Sequence, residues 1–189
     1  MKMIRRALLA LLFVPLLALA ALSNQQLQAV KTAILADPAL ASQPMTSGGA
    51  LVIAEALIAQ AAPDFIVWRT SLARHDILTG TSLEGTTFTW TGGAYITRSQ
   101  GERDAFREMF NSTGSVNPRT PTIISAFNDI FSGAGGATNR AHIEAVSKRK
   151  ATRVEKITAS GTGSLASPAT LSFEGAISGE DVQQARELP

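Results

Sequence analysis

The sequence contains no cysteine, which removes disulfides, thiolate nucleophiles and Cys-based metal sites at once. It has two histidines, His75 and His142. They lie far apart and neither has a ligand partner four residues on, so no zinc site or acid–base role is expected of them. No Gly-x-Ser-x-Gly elbow is present to raise a serine nucleophile. Glu102 and Asp104 are two residues apart and point to different helix faces, while Glu180-Asp181 reads as an acidic first turn. The facing carboxylates that glycoside hydrolysis needs are therefore not assignable. The run Gly133-Ala134-Gly135-Gly136-Ala137-Thr138 lacks the Gly-Lys-Ser/Thr ending of a phosphate loop, because Asn139 and Arg140 follow it. A helix, not a strand, is expected before it, and it reads as a helix end and turn. No catalytic, cofactor-binding or metal-ligating residue is assigned, and no enzymatic activity is expected.

What is present begins with MKMIRRALLALLFVPLLALAALS. Lys2, Arg5 and Arg6 precede an apolar run from Ala7 to Leu19, shorter than the roughly 20 residues a spanning helix needs. Ala18-Leu19-Ala20 supplies a small-x-small cleavage pattern. Residues 1–20 thus have the form of a secretory signal peptide. A retained anchor and a wrongly extended start are the other two readings, and residues 21–189 are expected to form a single domain. With Lys2, Arg5 and Arg6 set aside, 14 basic residues face 15 acidic ones, so the chain has no global electrostatic case for binding nucleic acid.

The periodicity predicts a mainly helical fold with a small β-hairpin or short strands. Ser23 with Gln26 makes a capping box for a helix carrying Leu27, Val30, Ile34 and Leu35 on one stripe. Asp37-Pro38 ends it. Residues 39–49 read as a loop, and an alanine-rich helix is expected from Leu51 to Ala62. Phe65 to Thr70 is either a short strand or an extended lead into a helix capped by Ser71. In 81–99 a hairpin at Gly92-Gly93 competes with a loop that lends Phe88, Trp90 and Tyr95 to the core. Helices follow at 102–110 and after Thr120-Pro121, the latter ending at the glycines. Asn139 is expected to start a further helix to about Lys148, and 151–159 either continues it or forms another. Strand alternation at 169–173 and a Ser178-capped last helix complete the chain. Trp68 and Trp90 are expected as core anchors.

Lys148, Arg149, Lys150, Arg153 and Lys156 form the basic cluster of the sequence. Arg149, Arg153 and Lys156 fall at helical spacing and make one stripe if the helix is continuous, with Glu144 and Lys148 as an i,i+4 pair. These three are the candidate partner-contact residues. No aromatics interleave with them, which argues against a nucleic-acid surface.

From Leu22 onward the chain carries a set of segments in a fixed order: Leu22 to Lys31, Ile34 to Leu40, Val67 to Thr70 and Asp129 to Gly136, then Lys150 to Lys156, Gly161 to Gly163 and Ala169 to Gly175. In these segments the chain resembles a family of small proteins of tailed bacteriophages and prophages, virion- or assembly-related. In that family the chain is expected to begin near Leu22, so the leader is a departure. The resemblance implies a structural or assembly protein in the head-tail or tail region. It would contact phage structural proteins as part of an oligomeric assembly, with no cofactor and no nucleic acid. It would act in the virion or host cytoplasm if the leader is an artefact of the start, and in the periplasm if the signal peptide is real. Any membrane attachment is through a retained leader. An exported binding or envelope protein is the alternative, and no catalytic residues carry over from the family.

Overall fold

A computed structural model describes residues 22–91 and 95–189; the leader-like segment and the Gly92-Gly93 turn lie outside the described residues. The elements run α1 (Asn24–Ala36), α2 (Pro38–Ala41), α3 (Ser47–Ile58), β1 (Ile66–Trp68), β2 (Leu72–Ala73), α4 (Arg74–Thr79) and α5 (Gln100–Glu108). After these come β3 (Ser115–Val116), α6 (Pro121–Ile130), α7 (Gly133–Val146), β4 (Lys148–Lys150), α8 (Arg153–Thr158) and α9 (Gly179–Glu187). Half of the described residues are helical, and they include two small two-stranded sheets, which is the mainly helical fold class expected.

Local chemistry sets most helix starts. The Ser23 hydroxyl accepts from the Gln26 N–H at 3.3 Å and the Gln26 side chain accepts from the Ser23 N–H at 2.8 Å, closing the capping box of α1. Leu27, Val30 and Ile34 are buried, but Leu35 is 65% exposed, because a residue adjacent to Ile34 is turned about 100° away from it. The Asp37 carboxylate ends α1 and caps α2 by accepting from the Ala39 N–H. α3 starts at Ser47, ahead of the expected Leu51, because the Thr46 hydroxyl accepts from the Gly49 N–H and draws Gly48-Gly49 into its first turn. The expected Ser71 cap is not used; Asp76 accepts from the Ala73 N–H instead, and Leu72–Ala73 is strand.

β1 pairs antiparallel with β4, placing Val67 opposite Arg149 and Trp68 opposite Lys148. This pairing breaks the helix that the sequence left open between Arg140 and Ala159: α7 ends at Val146 and α8 begins at Arg153. β2 pairs antiparallel with β3. The strand expected at 169–173 is reduced to bridges, in which Trp68 N–H donates to the Ala169 carbonyl at 3.0 Å and Ala169 N–H to that of Ile66 at 2.9 Å.

Two main hydrophobic clusters form. One joins α1, α2, α3, α8 and α9 through Val30, Ile34, Ile53, Leu57, Val154 and Val182. The other is aromatic, with Phe88, Phe106, Phe110, Phe127 and Phe131 beside Leu72, Ile77 and Ile143. Val67, Ala151 and Ala169 make a third, small cluster at the β1–β4 sheet. Residues 81–91 form no strand, so the hairpin is not found in the described part of that region. The aromatic-loop alternative holds for Phe88 and Tyr95: the Phe88 ring lies 5.6 Å from Tyr95 and 6.1 Å from Phe131. The expectation of two core tryptophans is not met, since Trp90 is 48% exposed and Trp68 only half-buried.

The glycine run is also corrected. Gly133 to Gly136 opens α7 rather than ending in a turn, and Asn139 is a fully buried mid-helix residue rather than a helix start. Its side chain accepts from the Thr89 N–H at 2.8 Å and donates to the Thr89 carbonyl at 2.9 Å, fixing the aromatic loop to α7.

Candidate functional site

Arg149, Arg153 and Lys156 do not share a helical stripe, because Arg149 lies on β4 and the other two on α8. Arg149 is committed inward. Its two terminal nitrogens donate to the two Glu155 oxygens, each at 2.7 Å, and one also donates to Glu174 at 2.7 Å. The Glu155 side chain is 3% exposed and additionally accepts from the Thr152 N–H at 2.9 Å. Burial alone would push the Glu155 carboxyl up, but the hydrogen bonds from Arg149 and Thr152 outweigh it and hold the group below its ordinary value. The same pair raises the already high pKa of Arg149.

Arg153 donates to Asp37 at 2.7 Å, tying α8 to the α1–α2 corner and holding the Asp37 carboxyl below its usual range. Lys156 sits 5.7 Å from the Phe65 ring centroid. Arg153 and Lys156 line one shallow depression with Ala33, Ala61, Ala62 and Ile157. The structure therefore brings two of the three cations together and separates the third. The expected Glu144–Lys148 pair is absent; Lys148 pairs with Glu84 at 3.0 Å.

A different cavity gathers Trp68, Arg119, Arg140 and Glu144. It has a volume of about 330 Å³ and lies where the end of β1 and the segment before α6 meet α6 and α7. Ala137 and Ala141, one turn apart on α7, leave the room for it, and Ile124, Phe127 and Ile143 supply apolar wall. Trp68 lies at one side with the Arg119 guanidinium carbon 4.2 Å from its ring centroid. Arg140 and Glu144 share the lining. Arg140 spends one nitrogen on the Phe131 and Gly133 carbonyls, bracing the α6–α7 connection. Trp68 and Arg140 were visible in the sequence, but their meeting with Arg119 depends on the β1–β4 pairing, which no local signal announces.

A third feature is an apolar helix face. Leu51, Val52 and Ile58 on α3 are 56%, 48% and 40% exposed, with Glu55 between them. Their spacing puts them on one side of the helix, opposite the buried Ile53, Ala54 and Leu57. The neighbouring α9 adds Glu180, Asp181 and Glu187 against the single cation Arg186. Arg186 is itself tied to the Gln43 and Pro44 carbonyls.

The histidines stay apart. His75 is exposed. His142 is fully buried, with Nε2 2.9 Å from the Ile77 carbonyl and Nδ1 3.0 Å from the Thr86 hydroxyl. A carbonyl can only accept, so Nε2 donates to it. No group of three or more His, Asp or Glu side chains suited to a metal occurs among the described residues. No helix among them is long and apolar enough to cross a membrane. Compared with protein-family models, with curated proteins and with solved structures, the chain finds no match.

Proposed function

We propose that the chain is a non-catalytic structural or assembly protein of a tailed-phage particle, acting by protein contact in the head-tail or tail region. The observation that carries the contact reading is the exposed apolar face of α3, with Leu51, Val52 and Ile58 side by side in water. The phage context comes from the sequence resemblance. Glu55 lies between these apolar side chains, and the α9 helix packed on α3 carries a further acidic excess, which selects the occupant. Two copies facing each other would set like charges together, so the partner is a different subunit whose apolar surface is edged by Lys and Arg.

Val52→Lys with Ile58→Lys tests this. Both sites are exposed, so the fold is expected to keep its stability within about 0.5 kcal/mol per change. Mass spectrometry of purified particles should then show the protein in wild-type particles, beginning near Leu22, and missing from the variant. Undiminished incorporation of the variant would refute the α3 reading. The form of residues 1–20 favours one other reading, an exported envelope or binding protein, and the same peptide mapping separates the two: a chain starting at Ala21 in the periplasm and missing from particles establishes export.

A further inference from the structure

We infer that the cavity framed by Trp68, Arg119 and Arg140 is a binding site for a carboxylate on an aliphatic stem, such as a glutamate side chain offered by a partner polypeptide. Arg119 is exposed, and its guanidinium carbon lies 4.2 Å from the centroid of the Trp68 ring, with no ion-pair partner among the described residues. A guanidinium in contact with an aromatic ring and not paired to a carboxylate keeps N–H donors for an anion, and its fork presents two parallel N–H groups matched to the two oxygens of a carboxylate. Arg140 lines the same space and has only one nitrogen committed to the carbonyls of Phe131 and Gly133. Its remaining donors add a second cationic contact.

The anion is singly charged. Glu144 shares the cavity, four residues on from Arg140 and yet not ion-paired with it, so the lining holds two cations and one carboxylate. That balance suits a monoanion and opposes a phosphate dianion, which would bring a second negative charge against Glu144. Ile124, Phe127, Ile143 and Pro118 form the rest of the wall and bury methylene groups behind the charged head. A volume of about 330 Å³ suits a single side chain and its flanking backbone. The site stands apart from α3 and does not depend on it: either surface can fail its test and leave the other standing.

The full chain carrying Trp90→Phe, which leaves Trp68 as its one indole, is titrated by fluorescence with three probes: a capped Ala/Glu pentapeptide, sodium glutarate and inorganic phosphate. The pentapeptide and glutarate are expected to perturb Trp68 saturably, competing with each other, and the pentapeptide to bind more tightly if a polypeptide is the natural source. Arg119→Gln should weaken pentapeptide binding about tenfold, the loss of one charge-assisted hydrogen-bonded contact. Glu144→Gln should strengthen it a few-fold by removing the like charge. Both side chains are exposed and neither braces the fold, so a circular-dichroism melt should be unchanged in each. No response of Trp68 to millimolar pentapeptide or glutarate, an Arg119→Gln variant that binds as wild type, or tighter binding of phosphate than of either carboxylate would each overturn the assignment.

Discussion

Glu155 shows how one side chain can hold three segments. It closes the capping box of α8 with Thr152, receives both terminal nitrogens of Arg149 on β4, and accepts from the Gly175 N–H. A buried carboxylate this well satisfied is costly to lose because Arg149 would keep only Glu174. Glu155→Gln is expected to destabilise the fold by about 2–3 kcal/mol, seen as a melting temperature lower by roughly 6 °C. The pH dependence follows from the direction of the shift. A carboxyl whose folded pKa is depressed contributes stability that is present above its unfolded value, about 4.3, and is lost as pH falls through the lower folded value. Thermal melts between pH 7 and pH 3 should therefore show wild type losing its advantage over Glu155→Gln in the acid range. Curves that stay parallel down to pH 3 would contradict this. None of this was readable in the sequence, where Arg149 and Glu155 look like members of a solvated, mixed-charge stretch. The partner of each is set by the sheet register, not by spacing along a helix.

At the level of elements, capping chemistry was legible and glycine chemistry was not. Ser23 with Gln26, Pro121 at a first helical position, and Ser178 with its acidic first turn mark the true starts of α1, α6 and α9. The glycines at 133–136 suggested a stop because glycine disfavours helix, yet Gly133 supplies a φ of 68° at the start of α7 and the role of Gly136 is steric. A Cβ at Gly136 would lie 1.9 Å from the Phe131 carbonyl oxygen and 2.3 Å from its carbon, so α7 can pack on the end of α6 only without a side chain there. Gly136→Ala should cost about 2–3 kcal/mol, the overpacking penalty exceeding any gain in helix propensity. Gly101 on α5 is the control: nothing lies within 4 Å of a Cβ there, so Gly101→Ala should stabilise by about 0.5–1 kcal/mol. Chemical denaturation of the two variants should move the midpoint in opposite directions; a Gly136→Ala midpoint at or above wild type would mean the α6–α7 contact yields freely. The aromatic loop was ambiguous for a related reason. Thr-rich alternation around Phe88 mimics a strand, and only the buried Asn139, on the third helix further along, shows that its backbone groups are satisfied by a side chain.

For the whole molecule, the decisive arrangement is that the first hydrophobic cluster is assembled from both ends of the described chain. α9 packs most extensively on α3 and α1, and its Val182 and Ala185 are fully buried against a cluster that includes Val30, Ile53 and Leu57. Lys31 on α1 donates to the Leu188 carbonyl, and Arg186 donates to the Gln43 and Pro44 carbonyls before α3, so polar contacts fasten the same closure. Such long-range contacts cost loop-closure entropy and are repaid only when the whole set forms. Removing residues 178–189 should thus do more than delete a nine-residue helix. It uncovers the inner sides of α1 and α3, which are short helices that depend on burial rather than on propensity. The expected result is a loss of far-ultraviolet helical signal well beyond the share of α9, and rapid amide exchange through α1 and α3. The aromatic cluster, none of whose buried members comes from α9, should keep more of its exchange protection. A truncated chain that loses only the signal of α9 and still protects the amides of α1 and α3 would show that this cluster closes without its C-terminal element.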